Sequence, residues 1–342
     1  MKNKPFTIGH LSIQPGERVA LALPTPELYT CAPTHIPIHI IHGKKQGPVL
    51  LVCAAIHGDE MNGISIIQNL LKLKWLKSLK GTLIAVPVVN IYGLITQSRY
   101  LPDRRDLDGS FPGSEAGSFA ARLAHLFSQE ILSRITHCID LHTGEPHTSK
   151  FPQVHTSLGV SSAKELALAF NAPVVVDTPS SRGLLWLLHK PDPIPTIIYS
   201  TGEALRIDDN GIKEGVRGII RVLRHLGMIK DTSKQSKHRS VSVHDSEWVR
   251  APSSGLCRTY HHLGSHIKIG HRVAKIVDPF GNQHDREIPA NFDGIIISRN
   301  NLPIVNEGEP ILEIAKIKEE EIKQINLWQN TQSETTGESS FE

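Results

Sequence analysis

Two apolar runs in this chain each end in a histidine, and together they limit what it can fold into. In residues 50–60, read LLVCAAIHGDE, a strand-like run closes at Ile56 and is followed at once by His57, Gly58, Asp59 and Glu60. In residues 138–144, read CIDLHTG, an apolar segment delivers His142 to a similar end, with Thr143 and Gly144 opening the turn. Both have the construction of a buried strand followed by polar side chains and a glycine, which is where open α/β sheets place their sites. Two histidines and one carboxylate suit a zinc ion that keeps a fourth position open for water. His-x-x-Glu alone is a weak signal, because a chain with 19 His and 34 acidic residues produces that spacing by chance. The plain alternative for either segment is a histidine satisfied by a backbone carbonyl beside a carboxylate at a helix N-terminus.

The sequence around these runs alternates strand and helix patterns. Residues 6–23 read as a hairpin or meander, 36–41 as a strand, 43–47 as a turn and 49–55 as the buried strand that carries the first segment. A helix is expected over 62–79, a strand over 82–89 and a helix over 118–132. Further on, helices are expected over 162–170 and 211–226, and strands over 173–176 and 195–200. This alternation predicts an α/β sheet domain over residues 1–229.

Between the strand at 82–89 and the helix at 118–132 runs a polar passage too long for a plain connection, and such loops are usually functional. It contains Arg99, Tyr100, Arg104, Arg105, Asp106 and Asp108. A positive cluster beside a zinc site would polarise a scissile carbonyl or hold a substrate carboxylate. The alternative is a solvated loop with its arginines paired to Asp103 and Asp106. His147, Gln153 and His155 lie in a second polar stretch as candidates to line a pocket, although a lone histidine is more often a surface or hydrogen-bonded residue. Asp140 stands two residues before His142, so in a strand it shares that side of the sheet and can hydrogen-bond a ligand imidazole; capping the following turn is its other reading.

The ordered set HGDE, RRDLDGSFPG and DLHTG resembles the succinylglutamate desuccinylase and aspartoacylase family, relatives of the zinc carboxypeptidases, over most of residues 48–226. The resemblance implies a zinc-carboxypeptidase-like mixed sheet flanked by helices, with one zinc per chain on His57, Glu60 and His142. It implies Arg99 as the oxyanion-stabilising arginine. The family places its proton-accepting glutamate at a later strand end in a Glu-x-Gly pattern, where this chain reads Ser200-Thr201-Gly202; Glu203 is therefore the expected base. The family's Asn-Arg, whose arginine binds the substrate carboxylate, reads Asp108-Gly109 here, so Arg104 and Arg105, with Asp108 and Tyr100, are expected to bind substrate.

The activity implied is a zinc-dependent amidohydrolase of the deacylase type, cleaving an N-acyl amino acid or similar small amide through a zinc-activated water. A carboxypeptidase-like hydrolase of short peptides is one other reading. A zinc-retaining protein that binds its ligand without turnover is another, motivated by Ser200.

The balance of 37 basic against 34 acidic residues and an aromatic content of 5% argue against a nucleic-acid partner. Four cysteines without a Cys-x-x-Cys pair read as reduced thiols of a cytoplasmic protein, Cys53 and Cys138 within core strands. No secretory leader pattern and no membrane-spanning run is present in the sequence.

Residues 230–246 read as a linker. Beyond them, residues 251–276 and 289–314 form an internal repeat, with Gly255 answered by Gly294 and Gly270 by Gly308. Two such halves close into a small β barrel-sandwich over 247–317. It resembles a biotinyl or lipoyl barrel, but its mid-turn, Asp278-Pro279-Phe280-Gly281, offers no lysine. A structural module, or one that joins copies of the chain into a homo-oligomer, is expected. The tail, 318–342, is expected to be a short helical end followed by disorder.

Overall fold

Strands that are apolar without alternation need cover on both faces, and the strands of that kind lie at the centre of one large sheet. The computed structural model describes residues 2–29, 31–231, 238–281 and 285–335. Its first part runs β1 (Phe6–Ile8), β2 (Leu11–Ile13), β3 (Arg18–Pro24), β4 (His35–His42), β5 (Lys45–Ala54), α1 (Asn62–Leu71), β6 (Lys80–Val86), α2 (Ile91–Thr96), α3 (Phe119–Glu130) and β7 (His137–Gly144). There follow β8 (Thr148–Thr156), α4 (Ser161–Phe170), β9 (Val174–Asp177), β10 (Thr196–Glu203) and α5 (Asp209–His225). The C-terminal part holds β11 (Val241–Val243), β12 (Ser246–Arg250), β13 (Gly255–Thr259), β14 (His266–Ile267), β15 (Arg272–Val277), β16 (Arg286–Pro289), β17 (Gly294–Asn300), β18 (Ile304–Val305), β19 (Pro310–Ala315) and α6 (Glu319–Thr335).

Among the described residues the large sheet has the order β12-β19-β17-β8-β10-β7-β5-β6-β4-β3. Its middle, β10-β7-β5-β6, is parallel, and antiparallel strands flank it on both sides. One face packs Val52, Leu141, Ile197 and Tyr199 against Ile66, Phe170, Ile219 and Leu223 of α1, α4 and α5. The other face packs Leu51, Cys53 and Cys138 against Leu123 and Phe127 of α3. The fold is thus a mixed α/β sheet flanked by helices. Because β5 and β7 are parallel neighbours, with Cys53 beside Asp140 and Ala54 beside Leu141, their carboxyl ends bring the two histidine segments together.

Several elements differ from the sequence expectation. The helix expected over 62–79 stops at Leu71, and a separate 3-10 turn, Lys74–Ser78, follows because Leu73 is extended. The turn expected at 43–47 is already part of β5 from Lys45 onward. The polar stretch after His142 is a full strand, β8, whose Pro152 sits where the pairing with β10 slips between Gln153 and Lys150, a bulge that tolerates proline inside a sheet.

The expected linker, residues 230–246, contains β11, which pairs in parallel with β9; residues 232–237 of it lie outside the described residues. The C-terminal strands carry their own apolar cluster; β12, β19 and β17 extend the large sheet through the antiparallel pairing of β17 with β8, while β13, β15, β16 and β18 form a separate four-stranded sheet. The repeat glycines stand at matching points: Gly255 and Gly294 begin β13 and β17, and Gly270 and Gly308 precede β15 and β19. The tail is helical through Thr335, since Ile325 and Trp328 bury against Phe151, Val241 and Ile295; residues 336–342, on which the expected disorder falls, lie outside the described residues.

Candidate metal centre

The first histidine segment leaves β5 through Ala55, whose φ of 51° turns the chain sharply at the strand end. Gly58 then seats against the start of α2 so closely that a Cβ there would lie 1.8 Å from the Gly93 carbonyl carbon. This turn sets His57 Nδ1 2.7 Å from Glu60 Oε1. From β7, His142 Nδ1 comes to 2.9 Å from Glu60 Oε2. The facing donor atoms of all three residues lie within 4.8 Å of one another.

The outer nitrogen of each imidazole is held by its own aspartate. His57 Nε2 lies 3.0 Å from Asp106 Oδ1, and His142 Nε2 lies 2.8 Å from Asp140 Oδ2. The Thr143 amide donates to Glu60 Oε2 at 2.9 Å. Burial alone would raise the Glu60 carboxyl, but the imidazoles, His142 above all, outweigh it and hold the group well below the usual carboxylate range. Burial opposes charge on His142 as well, and Asp140 and Glu60 overcome it to push its pKa well up. Two imidazoles with their outer nitrogens on carboxylates, and an ionised Glu60 between the inner ones, form a three-donor set that fits zinc with one ligand position left over.

The cluster borders a cavity of about 240 Å³. Besides the three cluster residues it is lined by the charged side chains of Arg99, Asp108, Glu145, Lys150 and Arg182 and by Thr143, His155, Thr178, Ser180, Leu185, Ile198 and Ser200. Arg99 is clamped by Nε and Nη2 on Asp106 Oδ2, at 3.1 and 3.0 Å, and its Nη1 lies 3.8 Å from Glu60 and 3.6 Å from Glu145. Arg182 bonds Asp108 Oδ2 at 3.2 Å and Asp106 Oδ2 at 2.8 Å. Among the described residues the Lys150 ammonium makes no ion pair.

Asp108 enters the cavity from a 3-10 turn and depends on Gly183, whose φ is 59° and where a Cβ would meet Asp108 Oδ1 at 1.9 Å. Burial raises the Asp108 carboxyl, with the nearby imidazole of His142 working against it.

Of the residues singled out in the sequence, His57, Glu60, His142, Asp140, Arg99 and Asp108 meet here. Tyr100, Arg104 and Arg105 do not. Tyr100 is 51% exposed, Arg104 and Arg105 are exposed, and the Arg105 guanidinium turns to Asp103. The basic side chains that line the cavity beside Arg99 are instead Lys150 and Arg182.

Glu203 also lies away from the cavity lining. Its carboxylate accepts from the His147 amide at 3.1 Å, Ser149 Oγ at 3.2 Å and Asn301 Nδ2 at 2.7 Å, and pairs with Arg206. The reason is a break in alternation: Gly202 has a φ of 69°, and the register slips between Ser200 and Glu203. His147 is exposed, whereas His155 lines the cavity. Asp106, Lys150, Arg182 and Glu145 were not readable as site residues, since their neighbours are distant in sequence; only the acidic and basic character of the 90–117 passage hinted at Asp106.

A family model described as the succinylglutamate desuccinylase/aspartoacylase catalytic domain matches residues 46–226. A curated relative, the N-alpha-acetyl-L-2,4-diaminobutyric acid deacetylase of Halomonas elongata, is 26% identical over 306 residues, covering 83% of this chain and 86% of its own. A solved succinylglutamate desuccinylase/aspartoacylase from Rhodobacter sphaeroides has a TM-score of 0.77 at 24% identity, over 88% of this chain and 96% of that one. The product-bound ectoine utilization protein EutE from Ruegeria pomeroyi also gives 0.77, at 22% identity, over 88% and 95% of the two chains.

Proposed function

This chain belongs to the succinylglutamate desuccinylase/aspartoacylase family, and on that premise we propose that its cavity hydrolyses the amide bond of a small N-acyl amino acid, with zinc as its cofactor. The observation that carries the reading is the convergence of His57 Nδ1, His142 Nδ1 and the Glu60 carboxylate on one small cavity, each imidazole backed by a separate aspartate. The similarity to a deacetylase that acts on an N-acetylated amino acid supports the same substrate class.

When bound to these three residues, zinc would acidify a water and polarise the scissile carbonyl. The chain's own groups supply the rest. Hydrolysis adds oxygen to the acyl carbon and a proton to the amine nitrogen as the C–N bond breaks. Asp108 is the carboxylate assigned to accept the proton of the attacking water and return it to the leaving nitrogen, because it lines the cavity and burial raises its carboxyl. It replaces Glu203 in that role. Arg99, fixed by two bonds to Asp106, faces the cavity with Nη1 and stabilises the negative charge that develops on the carbonyl oxygen. Lys150, with no carboxylate of its own, takes the substrate's carboxylate.

A cavity of about 240 Å³ suits a small acylated amino acid better than a peptide. The test is hydrolysis by the zinc-loaded protein of a panel of N-acetyl and N-succinyl amino acids, set beside dipeptides and tripeptides. Turnover of acylated amino acids with little of the peptides is the expected result; preferential release of C-terminal residues from peptides would contradict it, and tight binding without any turnover would favour a binding role.

A further inference from the structure

Beside the metal centre the sheet carries a row of polar side chains whose hydrogen bonds are unfinished. The register sets His142 of β7 next to Ser200 of β10, and Ser200 next to Gln153 of β8. Partners across neighbouring strands point to the same side, so Gln153 lies on the cavity side of the sheet with the metal ligand two strands away. Gln153 is 0% exposed, and neither its amide oxygen nor its amide nitrogen has a hydrogen-bond partner. His155, two residues along the same strand and opposite Ile198, lines the cavity, and its Nε2 is also buried and unpartnered.

Thr178 Oγ1 stands 3.1 Å from His155 Nδ1 and 3.4 Å from the Val176 carbonyl. In the tautomer that lets Thr178 donate to that carbonyl, Nδ1 carries the ring proton and Nε2 is an acceptor. Burial, together with nearby Lys150 and His142, pushes the His155 pKa down to about 3, so the ring stays neutral. Buried polar atoms without partners are uncommon in folded chains, because each carries a desolvation cost. Three of them on adjacent positions beside a reaction cavity, with the Ser200 hydroxyl on the same wall, call for a common partner.

We propose that this part of the cavity wall, a recess made by His155 and Ser200 with the buried Gln153 paired beside Ser200, is the specificity site of the hydrolase, and that it takes a neutral substrate group with both a donor and an acceptor, such as a carboxamide or hydroxyl. A carboxylate is excluded by the acceptor His155 Nε2 and by the lack of a cation within the recess itself; it belongs at Lys150. An ammonium is excluded because the recess offers no carboxylate. An alkyl group would leave the amide of Gln153 and the ring nitrogen of His155 without partners. The inference rests on the amidohydrolase reading, since it names the substrate class of that same cavity.

The test uses products, so it does not depend on turnover. Calorimetric binding to the zinc-loaded protein is compared for L-asparagine against the near-isosteric L-leucine, and for glycolate against propionate. The polar member of at least one pair is expected to bind about tenfold tighter or more, as for sites built to hydrogen-bond their ligand. That preference should fall away in Gln153→Leu or in His155→Phe, two variants so that failure of either to fold leaves the other. Equal binding within both pairs, no binding of any probe, or a preference that survives both variants overturns the proposal. Hydrolysis of N-acetyl-L-asparagine and N-acetyl-L-leucine is measured in parallel. Absence of hydrolysis with the binding preference intact would sink the amidohydrolase reading while leaving the recess assignment standing, and hydrolysis without the preference would do the reverse.

Discussion

The metal centre and the recess lie on the same rows of one sheet, and their polar chemistry is finished to opposite degrees. At the metal centre every side-chain donor and acceptor is engaged: Glu60 by two imidazoles and an amide, His57 by Glu60 and Asp106, His142 by Glu60 and Asp140. In the recess, two strands away, the Gln153 amide and His155 Nε2 have nothing. A saturated network holds its members in one geometry and so prepares a fixed set of donors. An unsaturated one leaves its pairing to the molecule that enters. The contrast divides the labour between a centre that does the same chemistry on any amide and a recess that decides which amide arrives.

The largest effect expected is at a carboxylate of the cavity lining. Asp108→Asn should lower kcat by about 10²–10⁴-fold while the metal content stays at the wild-type level. Steady-state kinetics with metal analysis checks this, and an unchanged kcat would move the proton acceptor to Glu145, another carboxylate of the lining. Glu203→Gln should act mainly on stability, because it cuts the ties from Glu203 to Ser149 and Asn301.

A second, smaller effect probes the saturated side. Asp140→Asn removes the charge behind His142 and is expected to weaken zinc affinity by about 10–100-fold, read by competition with a chromogenic chelator. The smallest effect sharpens the contrast most. Gln153→Leu replaces an unpartnered buried amide with an apolar group of similar size, and should raise stability by about 1 kcal/mol in a denaturant titration. Polar-to-apolar substitution at Asp140 should instead destabilise. If Gln153→Leu lowers stability as well, the recess amide is already satisfied and the two regions are alike.

The parts of this site that could be read in the sequence are those where partners are close along the chain. His57 and Glu60 are three residues apart, Asp140 and His142 two, and each pair follows an apolar run that announces a strand end. The β5 and β7 pairing that joins them follows from the same runs. What stayed hidden depends on long-range register. Asp106 is 49 residues from His57, and nothing in the local pattern says which carboxylate backs that ring. Gln153 and His155 could be named as pocket candidates, but that they share strand β8 with Lys150 was hidden, because Pro152 and its polar neighbours disguise the strand as a loop. Arg182 arrives from the loop after β9, and Gly183 beside it is needed for its φ of 59° and because Asp108 packs there. Glu203 is expected as the base only from the family's strand-end pattern, and the register slip at Gly202 brings its carboxylate to Ser149 and Asn301. The tail was hidden for a different reason: its acidic start and polar surface mask Ile325 and Trp328, which bury one face of α6.

The most direct test of the central claim is a zinc titration of the metal-free protein, with hydrolysis of an N-acyl amino acid followed at each addition. No activity is expected without metal, then a linear rise to one equivalent of zinc and a plateau thereafter, with His142→Ala flat throughout. Hydrolysis undiminished in the metal-free protein, or a bound equivalent of zinc that brings no hydrolysis of any acylated amino acid, would contradict the claim.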